Sequence, residues 1–546
     1  MAKKNTEKDL VEKFFKEVGL DTDSFLSNDL SELPDFGTLL DIGKSAKKIK
    51  ECIEKDSTIG LYGDYDADGT TSIALFYWFL QFHCGHNKIK TYQPNRFIDG
   101  YGLHKSSIET AIGDGVELLV TFDCGIMNQE SAQYAKECNL DLIITDHHND
   151  GGQELPVAYS VVNPKRQDQK GHEHLKELAG VGVSFSLALE VRKELSLKKS
   201  AYELLQFVAI GTIGDLVNIN PSNAKMVRHG LSQFKSSSIP AINLLGYLAP
   251  KNGLNSEYIG FRVAPMINSK GRIGDPEDAL RFLIAKDGDE AQKQYKKIND
   301  SNEERKKIQA KGRKKAMDII ESKEFCTPEK SGVMVVYSEE FGQGVVGLIA
   351  SSIMRKFKKP AICISKNDDG LLKGSVRSFG DFDIYNFLSD LNFPFVSFGG
   401  HSKAAGLALK EDDLEKFIKT VAESSSGVVV KEERRPVIKA SPNLVNWSLL
   451  KEICRFEPYG QGHEKPLVGI DVEVTRAHLM KNRHLSITTK NGLKIVMFNC
   501  FDCAREDFIE SILCGEKSTV YVEAKVSSSE YMGKVQLSIF AESIGC

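Results

Sequence analysis

Three carboxylates at alternate positions, Asp64, Asp66 and Asp68, followed at once by Gly69, stand in the stretch LYGDYDADGTTSIAL. Acids at this spacing suit a hard, oxygen-seeking cation, as in the calcium loop of an EF-hand. That loop needs a bidentate Glu at its twelfth position. Counted from Asp64, the twelfth residue is Leu75, which has no ligand atom. The flanks also differ from an EF-hand. STIGLYG, before the acids, has the composition of a strand. TTSIALFYWFLQF, after them, predicts a helix with Thr70 or Thr71 as its N-cap. The acids therefore fall on a strand-to-helix turn, where open α/β sheets bind ligands.

Further acids recur at comparable places. ELLVTFD ends in Asp123, and LDLIITD ends in Asp146 with His147 and His148 directly after it. Asp215 closes the apolar run AIGTIGD, where a carboxylate without a partner is costly to bury. Parallel strands carry their C-terminal ends to one edge, so these groups can converge. Oxygen donors with some imidazole favour Mn²⁺ or Mg²⁺ over a zinc–thiolate site. The carboxylates suffice for two ions sharing a bridging ligand. Such a pair, ~3.5–4 Å apart, clamps the attacking and leaving oxygens of an in-line phosphoryl displacement. Any one of these residues alone would be a turn or a cap; together, at successive strand ends, they predict a metal centre.

The elements that must hold this centre follow from the alternation of the chain. Between about residues 56 and 150, strand-like and helix-like runs alternate, which predicts a mostly parallel sheet covered on both faces. Residues 178–236 are expected to be mainly helical. Asp278 to Phe325 reads as one long polar helix, suited to bridging two domains. A second α/β unit opens at GVMVVYS and closes near Val421, and ESSSGVVVKEERRP reads as a linker. Five short alternating strands then predict a small β-barrel of the oligonucleotide-binding kind. The expected segments are 1–55, 56–283, 284–328, 329–425 and 436–546.

Composition narrows the function class. A chain of 546 residues can bury several cores, and no apolar run free of charge reaches the ~18 residues of a membrane span. MAKKNTEKDLVEKFF mixes acids and bases and has neither an apolar leader core nor an Arg-rich transit pattern. Eleven cysteines, an odd count without a framework, fit a reducing cytoplasm. The one CxxC, Cys500 and Cys503, lacks the second pair of a structural zinc site and is expected to be buried thiols. Net charge is −4, so basic character is local: 295–317, 354–360 and 431–436 are basic runs that would suit a polyanion. GQGVVG (342–347) fits a dinucleotide fingerprint, but alone the pattern is weak and reads as helix–sheet packing with a phosphate contact at the helix N-terminus.

DYDADG, TFDCG, ITDHH and GTIGD resemble, in order and spacing, the DHH phosphoesterase superfamily. GSVRS (374–378) and FGGHSKAAG (398–406) resemble its accessory DHHA1 domain. NRFIDGYGLH (95–104), VAPMINSKGRIGD (263–275), FEPYGQGHEKP (456–466) and SSEYMGKVQLSI narrow the likeness to the RecJ-like single-strand-specific exonucleases, from about residue 40 onward. The resemblance implies a parallel-sheet DHH domain, a long connecting helix, a smaller α/β DHHA1 domain and a C-terminal OB-type barrel. It implies that Asp66, Asp68, Asp123, His147 and Asp215 hold metal, with Asp123 bridging, and that Asp64 is a further ligand or supports one. His148 would face the scissile phosphate, and Asp146 would orient its neighbours. Arg96, Arg272, Ser375 and Arg377 would hold the DNA backbone or a 5′-terminal phosphate, and Gly399, Gly400 and His401 would lie close to it.

The implied activity is Mn²⁺- or Mg²⁺-dependent 5′-to-3′ hydrolysis of single-stranded DNA in repair and recombination. It would be carried out by a cytoplasmic monomer with no membrane contact, working with a helicase or single-strand-binding protein. The rivals are a DHH phosphodiesterase for short oligoribonucleotides or cyclic dinucleotides, against which the barrel argues, and a non-catalytic replication scaffold, against which the intact acids argue. Five residues depart from the family pattern. Tyr62 stands where some relatives carry His, Phe341-Gly342 replaces Trp-His, Ser352 replaces a basic residue, and His463 replaces Asn.

Overall fold

The computed structural model describes residues 6–250, 253–323, 325–326, 331–367, 370–431, 435–531 and 534–545. The chain divides into two compact units. One comprises Met1–Asn268, Asp275–Lys297 and Arg435–Cys546; the other comprises Ser269–Gly274 and Ile298–Arg434. Part of the basic run at 431–436, residues 432–434, lies outside the described residues, as does the Cys503 side chain. Cys500 is buried. Among the described residues no helix is long and apolar enough to cross a membrane.

The first unit is built on five parallel strands: β1 (Ile59–Gly63), β2 (Ile89–Tyr92), β3 (Leu118–Phe122), β4 (Asp141–Thr145) and β5 (Ser160–Val162). Their order is β2-β1-β3-β4-β5. β1 and β3 are buried along their whole length, which is why they read as continuous apolar runs. On one face, Ile108 and Ala111 of helix Lys105–Gly113 share a cluster with Ala132 and Ala135 of helix Gln129–Glu137, Leu119 and Ile144. On the other, Gly63 lets β1 approach helix Ala67–Trp78, since a Cβ there would lie 2.8 Å from Ile73 Cγ1. Helix Leu205–Asp215 packs on that helix and on helix Pro221–Ser232. At Gly230 a Cβ would sit 2.1 Å from the Leu205 carbonyl oxygen, so these two backbones touch.

Two local expectations are corrected. The helix after the acids begins at Ala67, and its N-cap is Asp66 rather than Thr70 or Thr71. Asp66 Oδ1 accepts from the Asp68 N–H (2.9 Å) and the Gly69 N–H (3.1 Å), so the carboxylate takes up donors that a later start would leave free. The long polar helix from Asp278 is two helices, Glu277–Leu283 and Gly288–Ser322. Between them Asp287 Oδ1 accepts from the Glu290 N–H (2.8 Å), a cap that restarts the helix at Gly288.

The second unit holds β6 (Met334–Tyr337), β7 (Ala361–Lys366), β8 (Leu372–Arg377), β9 (Ser397–His401) and β10 (Ala404–Leu409), ordered β6-β7-β8-β10-β9. Only β6 and β7 run parallel. Helix Val346–Phe357 covers Met334, Val336, Ala361 and Cys363 on one face. Helices Ile384–Asp390 and Leu414–Ser424 cover Val335, Ile362, Ile364 and Leu407 on the other.

The C-terminal strands are β11 (Val437–Lys439), β12 (Leu467–Met480), β13 (His484–Thr489), β14 (Lys494–Met497), β15 (Thr519–Tyr531) and β16 (Lys534–Gly545). β12-β13-β14-β16-β15 close on themselves through the β12–β15 pairing, which forms the expected barrel and leaves β11 as a parallel flank. Leu485, Ile487, Ile495, Met497, Val522 and Ile539 fill it. Helices Trp447–Cys454 and Glu506–Leu513, which strand alternation does not signal, accompany the barrel.

The N-terminal segment fastens the barrel's leading residues to the rest of this unit. Phe15, on helix Glu7–Glu17, stacks on Phe456 with ring centroids 4.0 Å apart, and Phe25 packs on His463 at 4.3 Å. Glu12 pairs with Arg455 at 3.1 Å, and Glu7 accepts from Asn446 at 2.9 Å. Phe15→Ala is expected to cost ~3–5 kcal/mol by cavity formation. Thermal unfolding checks this: the midpoint should fall by several degrees, and an unmoved midpoint would show that the segment is not part of the cooperative fold.

Candidate metal centre

The C-terminal edge of the parallel sheet collects the acids. Asp64 follows β1 directly, Asp123 follows β3, Asp146, His147 and His148 follow β4, and Asp215 ends helix Leu205–Asp215. Their donor atoms form three groups, each within 4.8 Å: Asp64 with Asp66 and Asp123; Asp68 with His147 and Asp215; and Asp123 with His147 and His148. Asp123 and His147 each belong to two groups. The motif carboxylates are thus divided, Asp64 and Asp66 on one side of Asp123 and Asp68 on the His147 side.

Backbone donors and missing side chains set these positions. Asp68 is fully buried, and its two oxygens accept from the N–H groups of Gly180 (2.6 Å) and Val181 (2.9 Å). Those amides open helix Gly180–Glu194, so the carboxylate also sits at the positive end of a helix. A Cβ on Gly180 would lie 2.6 Å from Asp123 Cβ, and one on Gly211 would lie 2.7 Å from Asp68 Oδ1. Asp123 has φ +61°, a left-handed conformation uncommon for a residue with a side chain and characteristic of strained functional turns. Asp146 accepts from the backbone N–H groups of Ile126, His147 and His148 at 3.0, 2.7 and 3.1 Å. It also lies 2.8 Å from His148 Nδ1, which places it as the residue that orients the following imidazole.

The electrostatics show a cage lacking positive charge. Burial and then Asp66 raise the Asp68 carboxyl to about 7. Burial first, with Asp66 next for Asp64 and Asp68 next for Asp123 and Asp215, pushes those three well above the usual carboxylate range. Burial, then His148, lowers His147 to about 3. Burial also works against charging His148 and Asp146, yet their mutual attraction prevails, bringing His148 to about 9 and Asp146 to about 2. Asp64 Oδ1, Asp123 Oδ1 and His147 Nε2 are buried without hydrogen-bond partners, although His147 Nε2 lies 3.1 Å from Asp123 Oδ1. Orphaned acceptors among buried acids are the donor set a hard divalent cation requires, so these residues fit Mn²⁺ or Mg²⁺.

Several supporting residues carry no mark in the sequence pattern. Tyr101 OH lies 3.1 Å from His148 Nδ1 and donates to the Asp123 carbonyl (3.2 Å); its only signal is its place within NRFIDGYGLH. Asn268 Oδ1 accepts from the Ala67 N–H at 2.6 Å. Gln93 Nε2 donates to the Asp64 carbonyl at 2.8 Å. Tyr62 is fully buried, belongs to the cluster under helix Lys105–Gly113, and donates its OH to the Gly102 carbonyl (2.7 Å). It anchors the 95–104 loop and offers no ligand. Arg96 is exposed, its guanidinium 5.5 Å from the Tyr65 ring centroid.

The second unit gathers the other expected phosphate contacts around the turn before helix Val346–Phe357. Arg272 Nη1 donates to the Gly344 carbonyl at 3.2 Å. A Cβ on Gly347 would lie 2.7 Å from Arg377 Nη2 and 2.9 Å from Ser375 Oγ, and Arg377 Nη1 donates to Ser375 Oγ at 3.0 Å. The glycines of GQGVVG therefore admit Arg272, Ser375 and Arg377. Across the sheet, Ser375 aligns with Gly406 and Gly399, and Arg377 aligns with Ala404 and His401. The glycines leave this face flat, and Gly399 and His401 are exposed on the β9 edge. Gly400 has φ +149°, and a Cβ there would lie 2.5 Å from the Ala404 carbonyl oxygen.

Comparison with known proteins gives three matches along the chain: the DHH family N-terminal domain over residues 58–212, the DHHA1 domain over 330–426 and the RecJ OB domain over 438–543. The single-stranded-DNA-specific exonuclease RecJ of Bacillus subtilis (strain 168) is 31% identical over 507 residues, 91% of this chain and 62% of that protein. This chain thus spans about three fifths of that relative's length. The protein of the same name from Escherichia coli (strain K12) is 30% identical over 468 residues, 82% of this chain and 80% of that protein. The crystal structure of RecJ with Mn²⁺ from Thermus thermophilus superposes with a TM-score of 0.81 at 25% identity, covering 98% of this chain and 75% of that one.

The raised carboxyl groups predict a pH-dependent response to metal. Without metal, the folded Asp68 holds its proton up to about pH 7, whereas an unfolded Asp loses it near ~3.9. Its contribution to stability is therefore lost as pH rises through this window, and a bound dication restores it by displacing the proton. The Mn²⁺-induced rise in unfolding midpoint should be larger at pH 7.5 than at pH 5.5. A rise that is equal at both, or larger at pH 5.5, would contradict the buried-carboxylate ligand set.

Proposed function

This chain belongs to the RecJ family of DHH/DHHA1 proteins, and from that premise we propose a divalent-metal-dependent exonuclease that hydrolyses single-stranded DNA from its 5′ end, in repair and recombination. The observation that carries the proposal is the division of buried donors around Asp123. Asp64 and Asp66 would hold one ion and Asp68, His147 and Asp215 the other, with Asp123 common to both. The ions supply Lewis acidity for an in-line displacement at phosphorus.

The chain's own residues supply position and protons. Asp146 keeps the His148 imidazolium charged and fixes its ring, so that its remaining N–H can meet the scissile phosphate. Tyr101 ties that ring to the Asp123 backbone and limits the motion of both. Arg272, Ser375 and Arg377 would receive a terminal phosphate, with Arg96 on the DNA backbone, because a guanidinium fork can meet two phosphate oxygens at once. Gly399, Gly400 and His401 would lie against the adjoining backbone, where the flat face admits a strand closely. A cytoplasmic monomer supplied with single strands by a helicase or a single-strand-binding protein completes the proposal.

End-labelled oligonucleotides test it. Asp123→Ala and Asp66→Ala should abolish Mn²⁺-dependent release of 5′ label from single strands, while Asp146→Asn should retain activity reduced ~10–100-fold. Arg377→Ala should raise KM for 5′-phosphorylated strands more than for 5′-hydroxyl strands. Undiminished digestion by Asp123→Ala would sink the metal assignment, and release beginning at the 3′ end would sink the polarity.

A further inference from the structure

The turn that follows β5 carries a cation that the ligand set and the terminal-phosphate contacts leave unused. β5 pairs with β4, so VVNPKRQ leaves the sheet beside ITDHH. Asn163 is fully buried; its Nδ2 donates to the His148 carbonyl at 2.8 Å, and its Oδ1 accepts from the Lys165 N–H at 2.7 Å. This side-chain turn fastens the Lys165 backbone to that of His148. On the far side Arg166 is buried and paired with Asp168 at 2.6 Å and Asp41 at 2.9 Å. Asn163, Pro164 and Arg166 are all buried, whereas Lys165 is half-buried and in no ion pair among the described residues.

The charge of Lys165 nevertheless reaches the cage. At His147 it adds to burial and His148 in holding the ring neutral, and at Asp215 it opposes burial and the neighbouring acids. Arg96 opposes burial and Asp66 at Asp64. The two cations thus serve different ligand groups, Arg96 that of Asp64, Asp66 and Asp123, and Lys165 that of Asp68, His147 and Asp215. A lysine that only offset buried acids would close on one of them as an ion pair. An ammonium with its backbone fixed, near the acids yet unpaired, is open to an incoming anion instead. In the proposed centre two dications balance four of the five carboxylates Asp64, Asp66, Asp68, Asp123 and Asp215, while Asp146 and His148 cancel. One negative charge is left to repel a phosphodiester, and Lys165 removes it.

We propose that Lys165 is a catalytic residue whose ammonium pairs with a non-bridging oxygen of the phosphate under attack, on the Asp215 side of the metal centre. The inference rests on the proposed function for its reaction and adds a contact to the scissile group. Water's oxygen bonds to phosphorus as the bond to the 3′-oxygen of the terminal nucleotide breaks. That 3′-oxygen takes one proton and the other goes to solvent, so a monoanionic diester becomes a dianionic 5′-phosphate on the shortened strand. Negative charge on the phosphate grows during the reaction, and the ammonium therefore contributes more to kcat than to KM.

Two fluorescent oligothymidylates that cannot be cut at their first linkage separate this contact from turnover. One has a methylene in place of the bridging 3′-oxygen and keeps its charge; the other has an uncharged methylphosphonate. Binding to the Mn²⁺-loaded full chain is read by anisotropy. Lys165→Gln should weaken the charged strand about tenfold and leave the neutral strand unchanged. It should also lower kcat on an ordinary strand about 100-fold, and Lys165→Arg should recover most of both losses. Mn²⁺ binding without DNA, read by calorimetry, should not weaken in Lys165→Gln, because a like charge is removed. Equal loss on both strands, or an unchanged kcat beside a parent that cuts, overturns the assignment. Weakened Mn²⁺ binding overturns it too, since Lys165 would then be shaping the ligand cage. A parent that cuts no strand defeats the proposed function, and the paired strands still decide whether Lys165 meets a charged linkage.

Discussion

Buried negative charge is the constraint on which the first unit depends. Asp64, Asp68 and Asp123 are almost wholly out of water; donor atoms of Asp64 and Asp123 lie within 4.8 Å of each other, as do those of Asp68 and Asp215. Such a group is costly unless protonated or balanced by a cation. Three devices reduce the cost without removing it. Asp66 is used as a helix cap, Asp68 is met by the first amides of helix Gly180–Glu194, and Asp146 is neutralised by His148. Asp64 and Asp123 nevertheless each keep an oxygen, Oδ1, without a hydrogen-bond partner. The remaining imbalance is what gives the site its affinity for a dication.

The same devices explain the surrounding architecture. For Asp68 to reach the amides of Gly180 and Val181, helix Gly180–Glu194 must begin at the sheet edge, and only glycine at 180 leaves room for Asp123. Helix Leu205–Asp215 must run close enough to bring Asp215 to the cage, which makes position 211 intolerant of a side chain beside Asp68 and Thr71. The helices are therefore packed against the acids as closely as backbone allows. This rigidity holds donors near one another before any ion arrives, which is the preorganisation a metal site needs.

Much of this was legible from residue order. The acids at successive strand ends, the alternation behind the parallel sheet and the five barrel strands are all pattern features of period or position, and the fold has them. What escaped had no periodic expression. The choice of Asp66 over Thr70 as cap depends on the chain path out of β1; the break at Asp287 is made by a side-chain cap, and its signal is the Asp287-Gly288 dipeptide inside an otherwise helical run. Tyr101, Asn268 and Gln93 act through single hydrogen bonds across long sequence separations, and such contacts leave no spacing to detect.

Tyr62 shows how a departure from a family pattern can be read physically. A ligand lost at this position would weaken the site if the side chain faced the acids. Here the ring lies in the cluster beneath helix Lys105–Gly113, and its hydroxyl holds the Gly102 carbonyl. Gly102 has φ +99° and follows Tyr101, so fixing that carbonyl fixes the turn from which Tyr101 reaches His148 and the Asp123 backbone. Tyr62 thus serves as a loop anchor. Asp64, buried with an oxygen free of hydrogen bonds, lies beside Asp66 and Asp123 in one of the three groups of potential ligand atoms.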